Sequence, residues 1–206
     1  MKLQGMVMPG YRVYEYMLIL NPHEDLLNRI TSLRDEFNKE FQVEKGLGGK
    51  PNLGIAQFMQ YEMKEQAIVK KLHLIAMGYP PFKVELKDYG SFPSHTVYIN
   101  VTSKLPVQNL VKEIKTETQA LMKLNNETKP HFFQEPHITI AMKLKPWQYE
   151  KGWLAYSHKN FTSRFIDDSM LLLKRQQEEK GWQISERFDF QNLPVSISAK
   201  QGDLFS

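Results

Sequence analysis

The chain opens, once past its first residues, with an extended apolar stretch over residues 12–20, where Tyr16-Met17-Leu18-Ile19-Leu20 suits a buried strand. Asn21-Pro22-His23-Glu24 follows, with a cap residue, a proline for the first helical position and an acid at the third. Leu26, Leu27, Ile30, Leu33, Phe37 and Phe41 then recur at steps of three and four, predicting a helix with one apolar face. Gly46-Leu47-Gly48-Gly49 breaks it, and 53–59 predicts a strand. A second helix is expected over 62–77, with Ile68, Leu72, Ile75 and Ala76 inward. Phe82, Val84 and Leu86 alternate with Lys83, Glu85 and Lys87, the period of a half-buried strand. Residues 96–101 predict another strand. A helix beginning near Pro106 turns Leu110, Val111, Ile114 and Leu121 to the core. Residues 137–144 and 165–174 predict further strands, and Gly181 marks a turn into a last one near 182–190. Residues 1–11 and 192–206 are expected as flexible tails around a single domain over 12–191.

The pattern repeats. Pro51-Asn52-Leu53-Gly54-Ile55-Ala56 and Pro136-His137-Ile138-Thr139-Ile140-Ala141 stand 85 positions apart and share proline, isoleucine and alanine in register. Pro22 and Pro106, each near a helix start after an apolar strand, stand 84 apart. Two copies are too few for a solenoid. They predict an α+β fold of two pseudo-symmetric lobes, duplicated βαβ-type modules with antiparallel sheets, around a central groove where a ligand sits.

Composition narrows the class only a little. Of 206 residues, 41% are hydrophobic and 24% charged, as in ordinary globular proteins. No apolar run nears the roughly 20 residues of a spanning helix, and no signal peptide is evident, so no membrane partner and a cytoplasmic location are expected. Without cysteine there is neither disulfide nor thiolate chemistry. The net charge of +4 permits an anionic partner without requiring one.

In His137-Ile138-Thr139-Ile140 the two-residue period of a strand puts His137 and Thr139 on one face. An imidazole exchanges protons near neutral pH, and a hydroxyl one pleat away can donate to a phosphate oxygen. The Pro-His-Ile-Thr-Ile-Ala segment, the duplicated layout and the spacing between the copies resemble the two-histidine phosphoesterases, whose bacterial members are named 2′-5′ RNA ligases or RNA 2′,3′-cyclic phosphodiesterases. The resemblance covers roughly residues 12–190. It implies two His-x-Ser/Thr motifs facing each other across the groove, one histidine as general base and the other as general acid, the hydroxyls holding phosphate, and no metal or other cofactor. It implies RNA or a cyclic nucleotide phosphate as partner.

Carried over by position, the second motif is His137 and Thr139. The first falls at Asn52-Leu53-Gly54, so asparagine replaces the histidine and glycine the hydroxyl residue. Met142 stands where the family often has an arginine. Asparagine hydrogen-bonds phosphate but transfers no proton, so reduced or lost turnover is expected, leaving a non-catalytic RNA- or nucleotide-binding module as the alternative. Lys50 and Gln134 flank the motifs, and Phe133 is placed to stack a base. His95 and His131 are candidates to compensate for the missing histidine, although Thr96 is expected on the face opposite His95. No histidine pair has metal-site spacing. Finally, Gln201-Gly202-Asp203-Leu204-Phe205 resembles the short peptide by which bacterial repair proteins dock on the sliding clamp, a third reading.

Overall fold

A computed structural model describes residues 10–176, 179 and 181–194. The candidate clamp peptide at 201–205 lies outside the described residues, as do residues 1–9. The element order is β1 (Val13–Leu20), α1 (Glu24–Glu40), β2 (Leu53–Tyr61), a short 3-10 turn (Glu62–Lys64) leading into α2 (Glu65–Gly78), β3 (Phe82–Phe92), β4 (Thr96–Val101), α3 (Lys104–Met122), β5 (His131–Phe132), β6 (His137–Met142), α4 (Pro146–Tyr156), β7 (Thr162–Asp167), β8 (Ser169–Gln176) and β9 (Gln183–Asp189). Two antiparallel sheets form, ordered β5-β2-β1-β8-β9 and β6-β4-β3-β7. No helix among the described residues is long and apolar enough to cross a membrane.

Each sheet has one face covered by helices, and each helix of a βαβ repeat packs on the other repeat's sheet. In the first sheet, register aligns Tyr16, Leu18 and Leu20 of β1 with Ala56 and Phe58 of β2 and with Met170 and Leu172 of β8 on one buried face. There α2 and α3 pack: the Tyr16 hydroxyl donates to Glu65 (3.0 Å), and the buried Gln60 amide donates to the Leu121 and Lys123 carbonyls. In the second sheet Val97, Ile99, Ile138 and Ile140 are buried, and α1 and α4 pack on it. Thus α1, which follows β1, lies on β6, while α3, which follows β4, lies on β2. The duplicated halves are interlocked.

Several boundaries differ from the sequence reading. His23, not Asn21, caps α1, its Nδ1 accepting the Leu26 N–H, so Pro22 lies outside the helix. Helix α3 starts at Lys104, and Pro106 sits in the first turn, where no N–H is needed. Leu121 is only half-buried there, and Met122 fills the core instead. The strand expected over 165–174 is two strands in different sheets. The chain crosses between them at Asp168, whose carboxylate is held by Ser169 (2.9 Å) and Arg187 (3.2 Å). Strand β6 stops at Met142 because Lys143 takes a left-handed φ of +56°. Helix α4 was not expected. Backbone hydrogen bonds also reach beyond residues 12–191: the Met63 N–H donates to the Gly10 carbonyl (3.0 Å), and the Asn192 and Leu193 N–H groups donate to the Tyr79 and Met77 carbonyls (3.1 and 2.8 Å).

Candidate functional site

The two motif strands lie together. Strands β2 and β6 contact each other along the seam where the sheets meet, and residues 133–136 cross from β5 at the edge of one sheet to β6 at the edge of the other. The helix-free faces of both sheets border this seam, which is where the groove is expected between the two halves.

On the β6 side, register sets His137 opposite Asn100 and Thr139 opposite Tyr98, all on the helix-free face, while Ile138 turns inward opposite Ile99. Rings enclose the imidazole: Phe92 meets it edge-on at 5.0 Å and Tyr98 tilts against it at 4.8 Å between centroids. Tyr98 can lie flat there because β3 carries Gly90, where an added Cβ would stand 2.5 Å from both the Tyr98 ring and Asn100 Oδ1. Nδ1 of His137 is 2.7 Å from the Glu135 carbonyl. A carbonyl only accepts, so the proton is on Nδ1 and Nε2 presents its lone pair. Burial among the rings lowers the His137 pKa below its ordinary value, with the Glu135 carbonyl opposing. The imidazole is therefore neutral at pH 7, a proton acceptor. Close by, Lys104 pairs with Glu135 (2.8 Å) at the start of α3.

On the β2 side, Asn52 leads into the strand with its amide donating to the Lys50 carbonyl (3.1 Å). Gly54 is on the helix-free face, and Phe133 packs over it. An added Cβ would lie 3.0 and 3.1 Å from Phe133 ring carbons, so the ring fills the space a hydroxyl residue of the first motif would need. The Phe133 N–H binds the Ile55 carbonyl (3.0 Å), and its ring meets His131 edge-on at 4.7 Å. His131, opposite Gln57 in the β5–β2 ladder, is thus on the groove-facing side beside Phe133 and Gly54. His95 is elsewhere. It precedes Thr96, which pairs with Met142, at the far end of the β4–β6 ladder from His137. That separation is about 15 Å at roughly 3.3 Å per residue. Its Nδ1 meets Thr96 Oγ1 at 2.5 Å, so the hydroxyl turns toward it rather than to the opposite face. Lys50 and Met142 are exposed.

One side chain the sequence reading passed over ties both halves. Arg34, 7% exposed on α1, donates from Nε to the Thr139 carbonyl (2.9 Å) and from Nη1 to the Gly49 carbonyl (3.2 Å). Burial lowers its pKa to about 10, so it stays charged at neutral pH. Its signal was present: Ile30, Arg34 and Phe37 share the apolar stripe, and an arginine there needs buried acceptors. Tyr98 and Asn100 gave no such signal, because their place beside His137 follows from strand register. Among the described residues no cluster of His, Asp or Glu could hold a metal ion.

Solved structures share this fold. E. coli LigT complexed with 3′-AMP superposes with a TM-score of 0.62 at 14% identity, covering 87% of this chain and 98% of that one. TT0787 of Thermus thermophilus gives 0.62 at 16% identity, covering 86% and 98%. E. coli LigT complexed with NADP+ gives 0.61 at 14%, covering 87% and 99%. No curated protein matches the sequence significantly. A family model, that of the 2′-5′ RNA ligase superfamily, matches residues 22–179. With that match over most of its length and both motif strands meeting at one groove, the chain belongs to the 2′-5′ RNA ligase superfamily.

Proposed function

We propose that this protein binds an RNA-type phosphate, such as a 2′,3′-cyclic end, between Asn52 and the His137–Thr139 pair, and that its turnover is weak because one proton-transfer group is missing. The observation that carries this is the neutral, ring-enclosed His137 with Nε2 free and Thr139 one pleat away on the same groove face. In hydrolysis, His137 Nε2 takes a proton from water as the water oxygen attacks phosphorus. The bond from phosphorus to one ribose oxygen breaks, and that oxygen must gain a proton. Asn52 has none to give, so solvent supplies it. A positioned acid contributes about 10²–10⁴-fold in rate, which is the expected deficit. The complexes of LigT with 3′-AMP, ATP and NADP+ support phosphate-bearing ligands for this fold.

The test measures binding and product separately with a 2′,3′-cyclic mononucleotide. Wild type is expected to bind and turn over slowly, His137→Ala to lose turnover, and Asn52→His to gain at least about 10²-fold. The residual rate of a general base should rise with pH through a pKa below the ordinary histidine value and then level. Turnover unchanged in His137→Ala removes the mechanism. Binding without any product in wild type makes the groove a docking site alone, a reading favoured by the Phe133 ring seated over Gly54. The 201–205 peptide adds clamp docking to the proposal; deleting 201–206 should abolish clamp binding and leave folding intact.

A further inference from the structure

At the Met142 end of β6, the loop after α1, the end of that strand and the start of α4 line a half-open cavity of about 430 Å³. Its walls include Val43, Leu47 and Met142, and its polar lining is Glu44, Lys45, Lys143, Lys145 and the buried Gln148. Three lysines face one carboxylate. Glu44 is within 3.6 Å of Lys145, which leaves Lys45 and Lys143 without an ion pair among the described residues. The loop contributes Gly46 and Gly48, and at Gly48 an added Cβ would meet nothing within 4 Å, so the entrance is open.

The cavity is held in shape. The Gln148 amide donates to the Phe41 and Gln42 carbonyls (3.1 and 2.8 Å), fixing the start of the loop to α4. Arg34 fixes the loop's other end through Gly49 and fixes β6 through Thr139. Lys143 keeps its left-handed φ of +56° at the rim, a conformation that non-glycine residues rarely adopt and that turns the chain at the cavity. Both walls continue into the candidate site: the loop runs on to Asn52, and β6 runs from His137 to Met142. Five residues of bulged strand span about 15 Å, too far for one nucleotide at His137 to reach and suitable for the next part of a short strand.

We propose that this cavity is a second phosphate subsite, taking a backbone phosphate of a single-stranded RNA whose terminal phosphate lies at His137 and Thr139. It rests on the proposed reading of that site and narrows the substrate class to an oligonucleotide rather than a mononucleotide. Lys45 and Lys143 contact the phosphate, and the apolar wall of Val43, Leu47 and Met142 takes the adjoining sugar or base.

The test uses the full chain and equilibrium binding across a salt series. The two probes are a 2′,3′-cyclic mononucleotide and a tetraribonucleotide ending in a 2′,3′-cyclic phosphate. Wild type is expected to bind the oligonucleotide more tightly. Lys45→Gln with Lys143→Gln should weaken the oligonucleotide about 10-fold and reduce the salt slope by about 1, leaving the mononucleotide unchanged. Both substitutions are at exposed positions, and an unchanged thermal transition checks the fold. An oligonucleotide affinity equal to wild type overturns the subsite, as does an equal loss for both probes. Weakening by the lysine pair but not by His137→Ala supports the cavity and removes the His137 reading. A wild type that binds neither probe overturns both.

Discussion

Arg34 offers the sharpest test of how the groove is held. Its guanidinium lies between two acceptors that belong to different halves of the site, the Thr139 carbonyl at 2.9 Å and the Gly49 carbonyl at 3.2 Å. Keeping a cation at 7% exposure is costly: burial lowers the guanidinium pKa to about 10, which corresponds to roughly 3 kcal/mol of lost solvation. Hydrogen bonds to a charged group return about 1.5–3 kcal/mol each. The two bonds therefore offset the burial cost with a margin of about 0–3 kcal/mol. Arg34→Met keeps the buried stem and removes both the charge and the bonds. Its unfolding free energy in urea should fall by no more than about 3 kcal/mol.

The effect on the site should be out of proportion to that figure. Without the guanidinium nothing joins Gly49 to Thr139, so phosphate affinity should fall by about 10-fold, which is about 1.4 kcal/mol. Arg34→Lys is the companion variant. A single ammonium lacks the planar fork that reaches two carbonyls at once, so it should recover stability in part and affinity hardly at all. Calorimetric binding of a 2′,3′-cyclic nucleotide, set beside urea denaturation of each variant, separates the two quantities. Wild-type affinity in a stably folded Arg34→Met protein would refute the positioning role.

Two further outcomes follow from buried groups. Asp167, 2% exposed with Oδ2 unpartnered, has its pKa raised to about 8 by burial and by Asp168, against the Ser169 N–H and Arg187. Protons are thus bound more tightly in the folded state, so this group's contribution to stability is full below about pH 4 and is lost as pH rises toward 8. Urea midpoints at pH 5, 7 and 9 should fall in wild type and vary less in Asp167→Asn, and parallel curves would show that the carboxyl is solvated. Gly54→Thr should destabilise by about 1–3 kcal/mol through overpacking against Phe133, and Phe133→Ala should relieve it; additive losses in the double variant would disprove that contact.

Much of the fold was legible because periodicity reports burial. The alternation at Phe82–Lys87 lies within β3, the spacing from Leu26 to Phe37 is α1, and 96–101 was read to the residue as β4. Failures have particular causes. Helix α4 escaped because its inward residues include Gln148 and Gly152: the amide is satisfied by the Phe41 and Gln42 carbonyls just past α1, and the glycine admits the Phe37 ring, whose nearest carbon would be 2.5 Å from an added Cβ. Neither residue reads as apolar. The break between β7 and β8 escaped because residues on both sides are buried, in different sheets, and burial alone does not say in which.

The candidate site divides along the same line. His137 and Thr139 needed only the two-residue period of one strand, and the register places both on the groove face. What surrounds them came from other strands: Tyr98 and Asn100 by register, Phe92 and Gly90 from β3, Arg34 from a helix that packs on the opposite repeat's sheet. The exchange of α1 and α3 between sheets is invisible to a repeat, since a repeat preserves order and says nothing of which copy a helix packs on. Position 54 shows why this matters. Gly54 alone reads as a position where one substitution could supply a hydroxyl, but Phe133, far away in sequence, occupies the volume where that hydroxyl would go. A hydroxyl side chain at 54 and the Phe133 ring in its present place therefore exclude each other. Asn52→His can place a proton donor at the groove, while a hydroxyl at 54 requires the ring to leave first.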